Sequence, residues 1–510
     1  MVEGYNGLLT ATVFLPAVGA LVLLLVVKGD RNVRNFAVLI ALADLVLSLL
    51  VFGFFDRSAG ADRFQFVDRI TWIPDVGLNA EFLLTVDGLS APLVALTGLL
   101  GMCAVLASWR IGLRVKEYFI WLLVLQTAVM GVFTSMDLLL FFLFWELELI
   151  PMFMLISVWG SGRKEYSAMK FLIFTILGSA FMLVAIVAVF LTADIGTFNM
   201  VALLDEPTML TSAGLLIPLS GLFWLFFVGF AIKLPTWPVH TWLPDAHTDA
   251  PTAASVMLAG VLLKMGGYGL LRINVGMFPS QTDRFAWALV TLGVISVLYG
   301  AVVTMRQTDL KRLIAFSSIS HMGLVLVGIG SVGISQGTLT VTGLNGAAMQ
   351  LFTHGTVTGL LFLTVGLVYD KTHTRYIPDL GGLAGRMPVV AVAMLIAGLA
   401  SLGLPGLSGF VSELLVFLGA FQAYAWPTVL AVLGIVLAAG YILWMMERTF
   451  FGVRRPQFDD LTDASLVEAA PLVLMVVTII GVGVWPTLLT DVFESGLNPM
   501  VDVLNGVINP

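Results

Sequence analysis

Continuous apolar runs of about 20 residues recur along the whole 510-residue chain, and they restrict its fold more than any other feature. Each run is long enough to cross a hydrocarbon core of roughly 30 Å as an α-helix. The runs do not alternate with polar residues, which argues against strands. Hydrophobic residues form 59% of the sequence and charged residues only 11%, as is typical of integral membrane proteins. The sequence therefore predicts an all-α polytopic membrane protein.

We predict about fourteen transmembrane helices. They are centred near residues 7–27, 34–55, 87–108, 117–134, 137–159, 166–191, 213–242, 252–271, 285–303, 310–330, 337–369, 388–424, 426–446 and 466–491. The runs at 337–369 and 388–424 are longer than a bilayer requires, so we expect these helices to tilt, break or project beyond it. The N-terminal residues "MVEGYNGLL" lack the features of a cleaved secretory signal, so we expect the first run to be retained as a span.

The distribution of Lys and Arg predicts the orientation of the chain. Most of the 25 basic residues fall in loops that follow odd-numbered helices. The loops after even-numbered helices hold only Arg57, Arg63, Arg69, Arg272 and Arg284. Because short cytoplasmic loops are enriched in Lys and Arg, we expect the odd loops to face the cytoplasm and both termini to face the periplasm.

Two predicted helices are interrupted at corresponding places. The seventh contains Pro235 and Pro238, and each proline removes a backbone donor and disturbs the preceding turn. The twelfth contains the glycine-rich stretch "SLGLPGLSG". Paired interruptions are typical of inverted-repeat transporters, although a simple packing kink at the prolines is an alternative.

This pattern predicts two inverted five-helix repeats around broken helices 7 and 12. Five spans per unit is an odd number, so the second unit is automatically inverted. The predicted division is 1–110 for helices 1–3, 111–275 for the first repeat, 276–450 for the second, and 451–510 for a C-terminal loop and helix 14.

Ionisable residues inside apolar runs are candidates for function, because each costs on the order of 3 kcal/mol or more to bury in a membrane. The candidates are Glu146, Glu148, Lys233, His240, Lys264, His321, His354 and Glu413. By contrast, Asp137, Asp245 and Asp249 lie near predicted helix ends, where we expect them to be solvated.

Glu146 is predicted to pair with Lys233. On a regular helix Glu148 points about 200° away from Glu146, so the two acids are not expected to share one partner. A lysine that loses its carboxylate in hydrocarbon readily gives up its proton. Opening the pair would therefore release a proton from Lys233, which water at the broken helix could carry to His240 and Lys264. A static ion pair that fixes helix register is the alternative.

The remaining candidates suit proton relay. His321 and His354 have near-neutral intrinsic pKa values, and the alternatives are satisfied core histidines or haem ligands. Nothing in their spacing favours haem. Glu413 follows the second interruption and could be a terminal proton carrier, or an acid that complements a helix N-terminus.

Several other function classes are excluded. A single cysteine, Cys103, cannot form an intrachain disulfide or hold a cysteine-ligated cluster. The sequence contains no phosphate loop, nucleophile elbow or metal-ligand motif. The net charge of -7 is spread over loops and gives no reason to expect a nucleic-acid partner.

Six stretches carry a specific resemblance to a known family. They are "FFLFWELELIPMFML", "KLPTWPVHTWLPDAHTDAPTAASVMLAGVLLKMGGYGLLR", "DLKRLIAFSSISHMG", "FTHG", "YDKTHTRYIPDLGGL" and "GLPGLSGFVSELL". Together they resemble the antiporter-like membrane subunits of proton-pumping NADH-quinone oxidoreductase, which are related to Mrp antiporters. The resemblance covers helices 3 to 13, whereas the first 80 and last 50 residues are similar only in being apolar.

The resemblance implies a proton-translocating subunit in the membrane arm of respiratory complex I, in a bacterial cytoplasmic membrane. It implies roles for Glu146 as the fifth-helix glutamate, Lys233 as its partner, Lys264 as the central lysine, His321 and His354 as the connecting relay, and Glu413 as the terminal carboxylate. Glu148 departs from the family pattern.

The resemblance also implies partners. These are neighbouring antiporter-like subunits, the peripheral redox arm and the lipid bilayer. FMN, iron-sulfur clusters and most of the quinone site would belong to other subunits, so no cofactor is expected in this chain. A subunit of a multi-subunit sodium/proton antiporter or of a membrane-bound hydrogenase, and a scaffold with purely structural charges, remain the alternatives.

Overall fold

The computed structural model describes residues 6–58, 60–73, 79–191, 196–205, 217–333 and 341–508. The helices of the first half are α1 Leu8–Leu25, α2 Asp30–Gly53, α3 Ala91–Ala107, α4 Val115–Thr134, α5 Leu138–Leu147, α6 Leu149–Trp159, α7 Lys164–Phe190, α8 Met200–Asp205, α9 Leu219–Lys233 and α10 Trp242–Asp249. Those of the second half are α11 Thr252–Met257, α12 Leu263–Gly269, α13 Pro279–Thr304, α14 Leu310–Gly330, α15 Thr342–Thr372, α16 Pro388–Ser401, α17 Ser408–Ala423, α18 Ala425–Met446, α19 Leu466–Val484 and α20 Thr487–Ile508.

Eleven helical segments in the described residues are long and apolar enough to cross a membrane. Three further passes are formed by α3, by the interrupted pair α9–α10 and by the interrupted pair α16–α17. The total is then the predicted fourteen. The prediction of a polytopic membrane fold built mainly of helices is confirmed. The long eleventh helix does not break: α15 is continuous over 31 residues, about 46 Å, so it is longer than the bilayer core.

Both predicted interruptions are present. Residues 234–241 separate α9 from α10 and include the two prolines, which cannot continue a helical hydrogen-bond ladder. Between α16 and α17, Gly403 and Gly406 adopt φ angles of 69° and 89°, a conformation that favours glycine. The breaks therefore follow directly from local residue chemistry.

One element contradicts the prediction that strands are unlikely. Strands β1 Gln65–Ile73 and β2 Ala80–Val86 form an antiparallel hairpin between α2 and α3. Short strands of mixed polarity give no continuous apolar run, so a search for spanning helices does not detect them. The C-terminal run is also two helices, α19 and α20, where the sequence predicted one helix over 466–491.

Asp137 joins this hairpin to the fifth span. It was expected to be solvated, but it is fully buried. Its Oδ1 accepts hydrogen bonds from the amides of Leu139 and Leu140, which caps α5, and its Oδ2 accepts one from the Glu81 amide of β2 at 3.0 Å.

A second buried connection fixes the hairpin to the eighth span. Arg272 was predicted to lie in an outer loop, yet it is buried within the span Thr252–Val275. Its guanidinium donates to both carboxylate oxygens of Asp87, at 2.7 and 2.5 Å. Asp87 also accepts hydrogen bonds from the amides of Leu89 and Ser90 ahead of α3. An acid outside the helical runs thus supplies the counter-charge that lets an arginine enter a span.

Replacing Arg272 with Met would leave the Asp87 carboxylate buried without its cation. We expect this change to destabilise the fold by about 3–5 kcal/mol, measured as a lower thermal unfolding midpoint of the purified protein in detergent. The double change Arg272→Met with Asp87→Leu should recover most of the loss, because no charge is then left unpaired. An unaltered midpoint in the single variant would show that the pair does not stabilise the fold.

Candidate functional site

The first group of the site lies at the break in the seventh span. Lys233 is the last residue of α9, where the helix dipole favours a cation, and only 1% of it is exposed. Its ammonium forms an ion pair with the carboxylate of Glu148. The rings of Trp145 and Phe171 lie 5.6 and 5.4 Å from the same nitrogen. The lysine is therefore held by one carboxylate inside an otherwise aromatic cage.

The direct partner of Lys233 is thus Glu148, and the prediction that Glu146 makes this contact is wrong. Glu148 lies between α5 and α6 with helical backbone angles, φ -70° and ψ -23°, so the fifth span continues through it, and this acid is completely buried. Glu146 is half-buried and still interacts electrostatically with Lys233. Both acids therefore act on one lysine, which their separation of about 200° around the helix did not suggest.

Lys264 occupies the middle of the eighth span and is fully buried. Its ammonium nitrogen donates to the carbonyl of Ala259, five residues back. That carbonyl lies in a π-helical segment, Leu258–Leu262, which displaces the regular backbone hydrogen bonds. The nitrogen also lies 2.7 Å from Nδ1 of His354 on α15. In the described part of the chain no carboxylate forms an ion pair with Lys264.

His354 leads to the second interruption. Its ring centroid lies 5.8 Å from that of His321 on α14. His321 Nδ1 is 3.4 Å from the Glu413 carboxylate of α17, and its Nε2 is 3.1 Å from the Ser401 hydroxyl at the end of α16. These side chains line one small cavity together with Gln350, Thr353 and Thr358. The series Lys264, His354, His321, Glu413 therefore runs over four helices, α12, α15, α14 and α17, and ends at the twelfth-span break.

The two interruptions carry corresponding pairs. In the first half, Glu148 on the fifth span meets Lys233 on the broken seventh. In the second half, His321 on the tenth span meets Glu413 on the broken twelfth. The acid and the base have exchanged places between the halves. This correspondence agrees with the predicted repeats, in which both pairs join the second helix of a unit to its fourth.

His240 lies in the interruption of the seventh span, between α9 and α10. Its ring packs against Tyr299 with a centroid distance of 4.9 Å, and it interacts electrostatically with Lys170. Among the described residues no hydrogen bond or ion pair joins it to Lys264, and its role as a proton carrier stays a prediction. Seven residues further on, His247 is fully buried and interacts electrostatically with both Lys264 and His354. Sequence reasoning missed it, although its place on the short half-helix α10 beyond the break was a usable signal.

Asp245 and Asp249, which were expected to be solvated, are largely buried residues of this half-helix. Asp245 forms ion pairs with Lys170 at 2.7 Å and with Arg312 at 3.2 Å. The Ser167 hydroxyl donates to Asp249 at 2.6 Å. These contacts hold α10 against the sixth and tenth spans.

The histidines do not fit a haem site. Both ring nitrogens of His321 are engaged, by Glu413 and Ser401, and Nδ1 of His354 faces Lys264. In the described ranges no cluster of three or more His, Cys, Asp or Glu side chains could hold a metal ion. The residue chemistry of the site suits proton transfer between neighbouring groups.

A fourteen-pass fold with two broken spans and a buried series of Glu, Lys and His defines an antiporter-like membrane subunit. A family model described as "NADH:quinone oxidoreductase/Mrp antiporter, TM" matches residues 135–438. This chain belongs to that family. The match includes both interruptions and every predicted site residue.

Individual relatives extend the similarity beyond that segment. The NADH-quinone oxidoreductase subunit M of Rhodobacter capsulatus is 41% identical over 97% of this chain and 96% of its own length. The NAD(P)H-quinone oxidoreductase chain 4 1 of Synechococcus elongatus is 42% identical over 95% of this chain and 90% of its own. A chain in the structure of respiratory complex I from Thermus thermophilus with bound NADH superposes with a TM-score of 0.86 at 30% identity, covering 98% of this chain and 100% of the other.

The two acids near Lys233 can be separated by substitution. Glu148→Gln removes the direct ion pair and leaves a buried ammonium uncompensated, so we expect proton pumping to fall about tenfold or more. Glu146→Gln removes only the second carboxylate and should reduce pumping less, while the double change should abolish it. The measurement is proton uptake by vesicles containing the assembled complex during quinone reduction. Full pumping by Glu148→Gln would contradict the assignment of the direct pair.

Proposed function

We propose that this chain is a membrane-arm subunit of a proton-translocating NADH-quinone oxidoreductase and that its buried ionisable groups carry the protons. The observation that carries the proposal is the series from Lys264 to Glu413, in which Lys264 contacts His354, the His354 and His321 rings lie 5.8 Å apart, and His321 contacts Glu413. Burying an ionisable group in a membrane is costly. So many buried groups are therefore expected only where they transport protons or pair with one another. The names of the relatives, which share about 40% identity, favour this complex over a sodium/proton antiporter.

The first step of the proposed mechanism is the opening of the Glu148–Lys233 contact. A buried ammonium without its carboxylate is costly, so Lys233 gives up one proton and becomes a neutral amine. The unwound backbone of residues 234–241 can line a wet passage for that proton, because irregular backbone at membrane depth is tolerated where it borders water. Closing the contact restores the charge on Lys233 once it is protonated again.

The second step moves a proton along the axis. Lys264 and His354 are close enough to share one proton, with one nitrogen donating and the other accepting. His354 can pass a proton towards His321, directly or through water, because a neutral imidazole accepts at one nitrogen while the other carries a hydrogen. His321 then protonates Glu413. Each transfer changes two neighbouring charges and leaves the total unchanged.

The same proposal assigns the cofactors and the neighbouring subunits of the complex. FMN, iron-sulfur clusters and quinone would be bound by partner subunits, and their redox reactions would drive the opening of the Glu148–Lys233 contact. Neighbouring antiporter-like subunits would contact this chain in the membrane. The functional units would be 1–110, 111–275, 276–450 and 451–510, with the inverted repeats in the middle two.

In a bacterial cytoplasmic membrane, both termini would face the periplasm. The bias of Lys and Arg towards the odd loops supports this orientation. A C-terminal reporter enzyme that folds only outside the cytoplasm should therefore be active. An inactive reporter on a correctly inserted chain would reverse the orientation.

Lys264 offers a test that separates proton transfer from simple charge balance. Lys264→Met removes the proton carrier, whereas Lys264→Arg keeps the positive charge but cannot release a proton under physiological conditions. We expect both variants to lower proton pumping and coupled quinone reduction at least tenfold in the assembled complex. If Lys264→Arg pumps normally, the lysine acts only as a fixed charge and the proposed relay is wrong.

A further inference from the structure

A polar cavity on the Lys/Arg-rich face is not used by the series described above. It is lined by residues from the loops or helix ends after the third, fifth, seventh, ninth and eleventh spans, among them Arg110, Ser161, Thr252, Lys311, Asp370 and Arg375. All of these loops follow odd-numbered spans, and all except the one after the seventh contain Lys or Arg. The cavity therefore opens on the face that the charge distribution assigns to the cytoplasm.

Lys311 forms part of the wall of this cavity, near the start of α14. Its side chain is largely buried, and its ammonium donates to the carbonyl of Ala250 at 2.6 Å. Among the ion pairs of the described residues, none joins Lys311 to an acid directly. A buried ammonium that faces a polar cavity and a carbonyl, without a fixed carboxylate, can exchange its proton with water.

His247 lies close in sequence to the carbonyl that Lys311 contacts. It is three residues before Ala250, the residue that binds Lys311, and its backbone carbonyl accepts a hydrogen bond from the Ser255 hydroxyl at 3.2 Å. Its ring stacks on Phe362 of α15, with centroids 4.6 Å apart and planes 10° from parallel. The ring is therefore held in one orientation by backbone and aromatic contacts.

Both ring nitrogens of His247 are buried and have no hydrogen-bond partner in the described part of the protein. Buried polar atoms of this kind are normally satisfied, commonly by ordered water. His247 interacts electrostatically with both Lys311 and Lys264. It is therefore near enough to both lysines to feel their charges, and neither of its ring nitrogens is occupied by a protein partner in the described residues.

We propose that the cavity, Lys311 and His247 form a second proton inlet that leads from the Lys/Arg-rich face to Lys264 and bypasses the Glu148–Lys233 pair. A hydrated proton in the cavity protonates Lys311. The Lys311 ammonium passes a proton through water to one nitrogen of His247, which releases the proton on its other nitrogen towards Lys264. This inlet rests on the proposed role of Lys264 in proton translocation.

Lys311→Met and His247→Phe each remove a proton carrier while keeping approximate size. We expect each change to lower pumping coupled to quinone reduction at least tenfold in the assembled complex. The matched control is Lys371→Met, because Lys371 is also buried at the same face and also donates to a backbone carbonyl, that of Asp463 at 2.8 Å, but does not line the cavity. This control should pump close to normally.

Chemical rescue separates proton transfer from a structural role of Lys311. Lys311→Cys should lose pumping, and 2-bromoethylamine should restore it: the thiolate displaces bromide, a sulfur–carbon bond forms, and the new side chain ends in an ammonium. The same treatment of Lys311→Ser should have no effect. Full pumping by Lys311→Met or by untreated Lys311→Cys would overturn the inlet. If Lys264→Met still abolishes pumping in the same assay, that result would show that only the inlet is wrong and that the proposed role of Lys264 stands.

Solvent access can be tested even if the Lys311 variants do not assemble. Thr252 lines the cavity, and the only native cysteine of this chain, Cys103, is buried. Thr252→Cys should react with a membrane-impermeant thiol reagent added from the Lys/Arg-rich side and not from the other side. A cysteine that stays unlabelled from both sides would show that the cavity is closed to solvent and would overturn the proposal.

Discussion

The cost of holding a charge in hydrocarbon is the constraint on which the rest of this structure depends. The Glu148–Lys233 pair meets it with an opposite charge, a helix C-terminus and aromatic rings, at the point where the seventh span is interrupted. An ion pair of this kind adds little net stability, because removing two charges from water offsets their attraction. It is better suited to a group whose charge must change, since a small movement of the broken helix would alter the balance between charged and neutral lysine.

The same constraint accounts for the second half of the molecule. Among the described residues Lys264 forms no ion pair with an acid. Its ammonium is stabilised by the Ala259 carbonyl in the π-helical segment and by His354. His321 and Glu413 then repeat the acid–base pairing of the first half in reverse order. Buried Arg272 follows another strategy: its two hydrogen bonds to Asp87 fix a charge that never changes. The fold thus separates permanent charges from groups that can exchange protons.

Much of the fold could be predicted from sequence because membrane spans and their breaks depend on local composition. Apolar runs located the helices, and the prolines and glycines of the two interruptions located the breaks. The hairpin β1–β2 was missed because its residues form no long apolar run, and Arg272 was misplaced because its partner, Asp87, is distant in sequence. The site was harder to predict because its contacts also join residues that are distant in sequence. The contact of Lys233 with Glu148, not Glu146, depends on how the fifth and seventh spans pack together, and the place of His247 depends on packing against Phe362.

The central claim is that one continuous path of proton carriers crosses the protein at mid-membrane depth. The most direct test is a high-resolution cryo-electron microscopy map of the assembled complex in which ordered water can be seen. The account predicts water in the passage from Lys233 to Lys264 and in the cavity shared by His354, His321 and Glu413, so that every gap is bridged by hydrogen bonds. A dry, apolar barrier in either place, with Lys264 hydrogen-bonded only to protein, would contradict it.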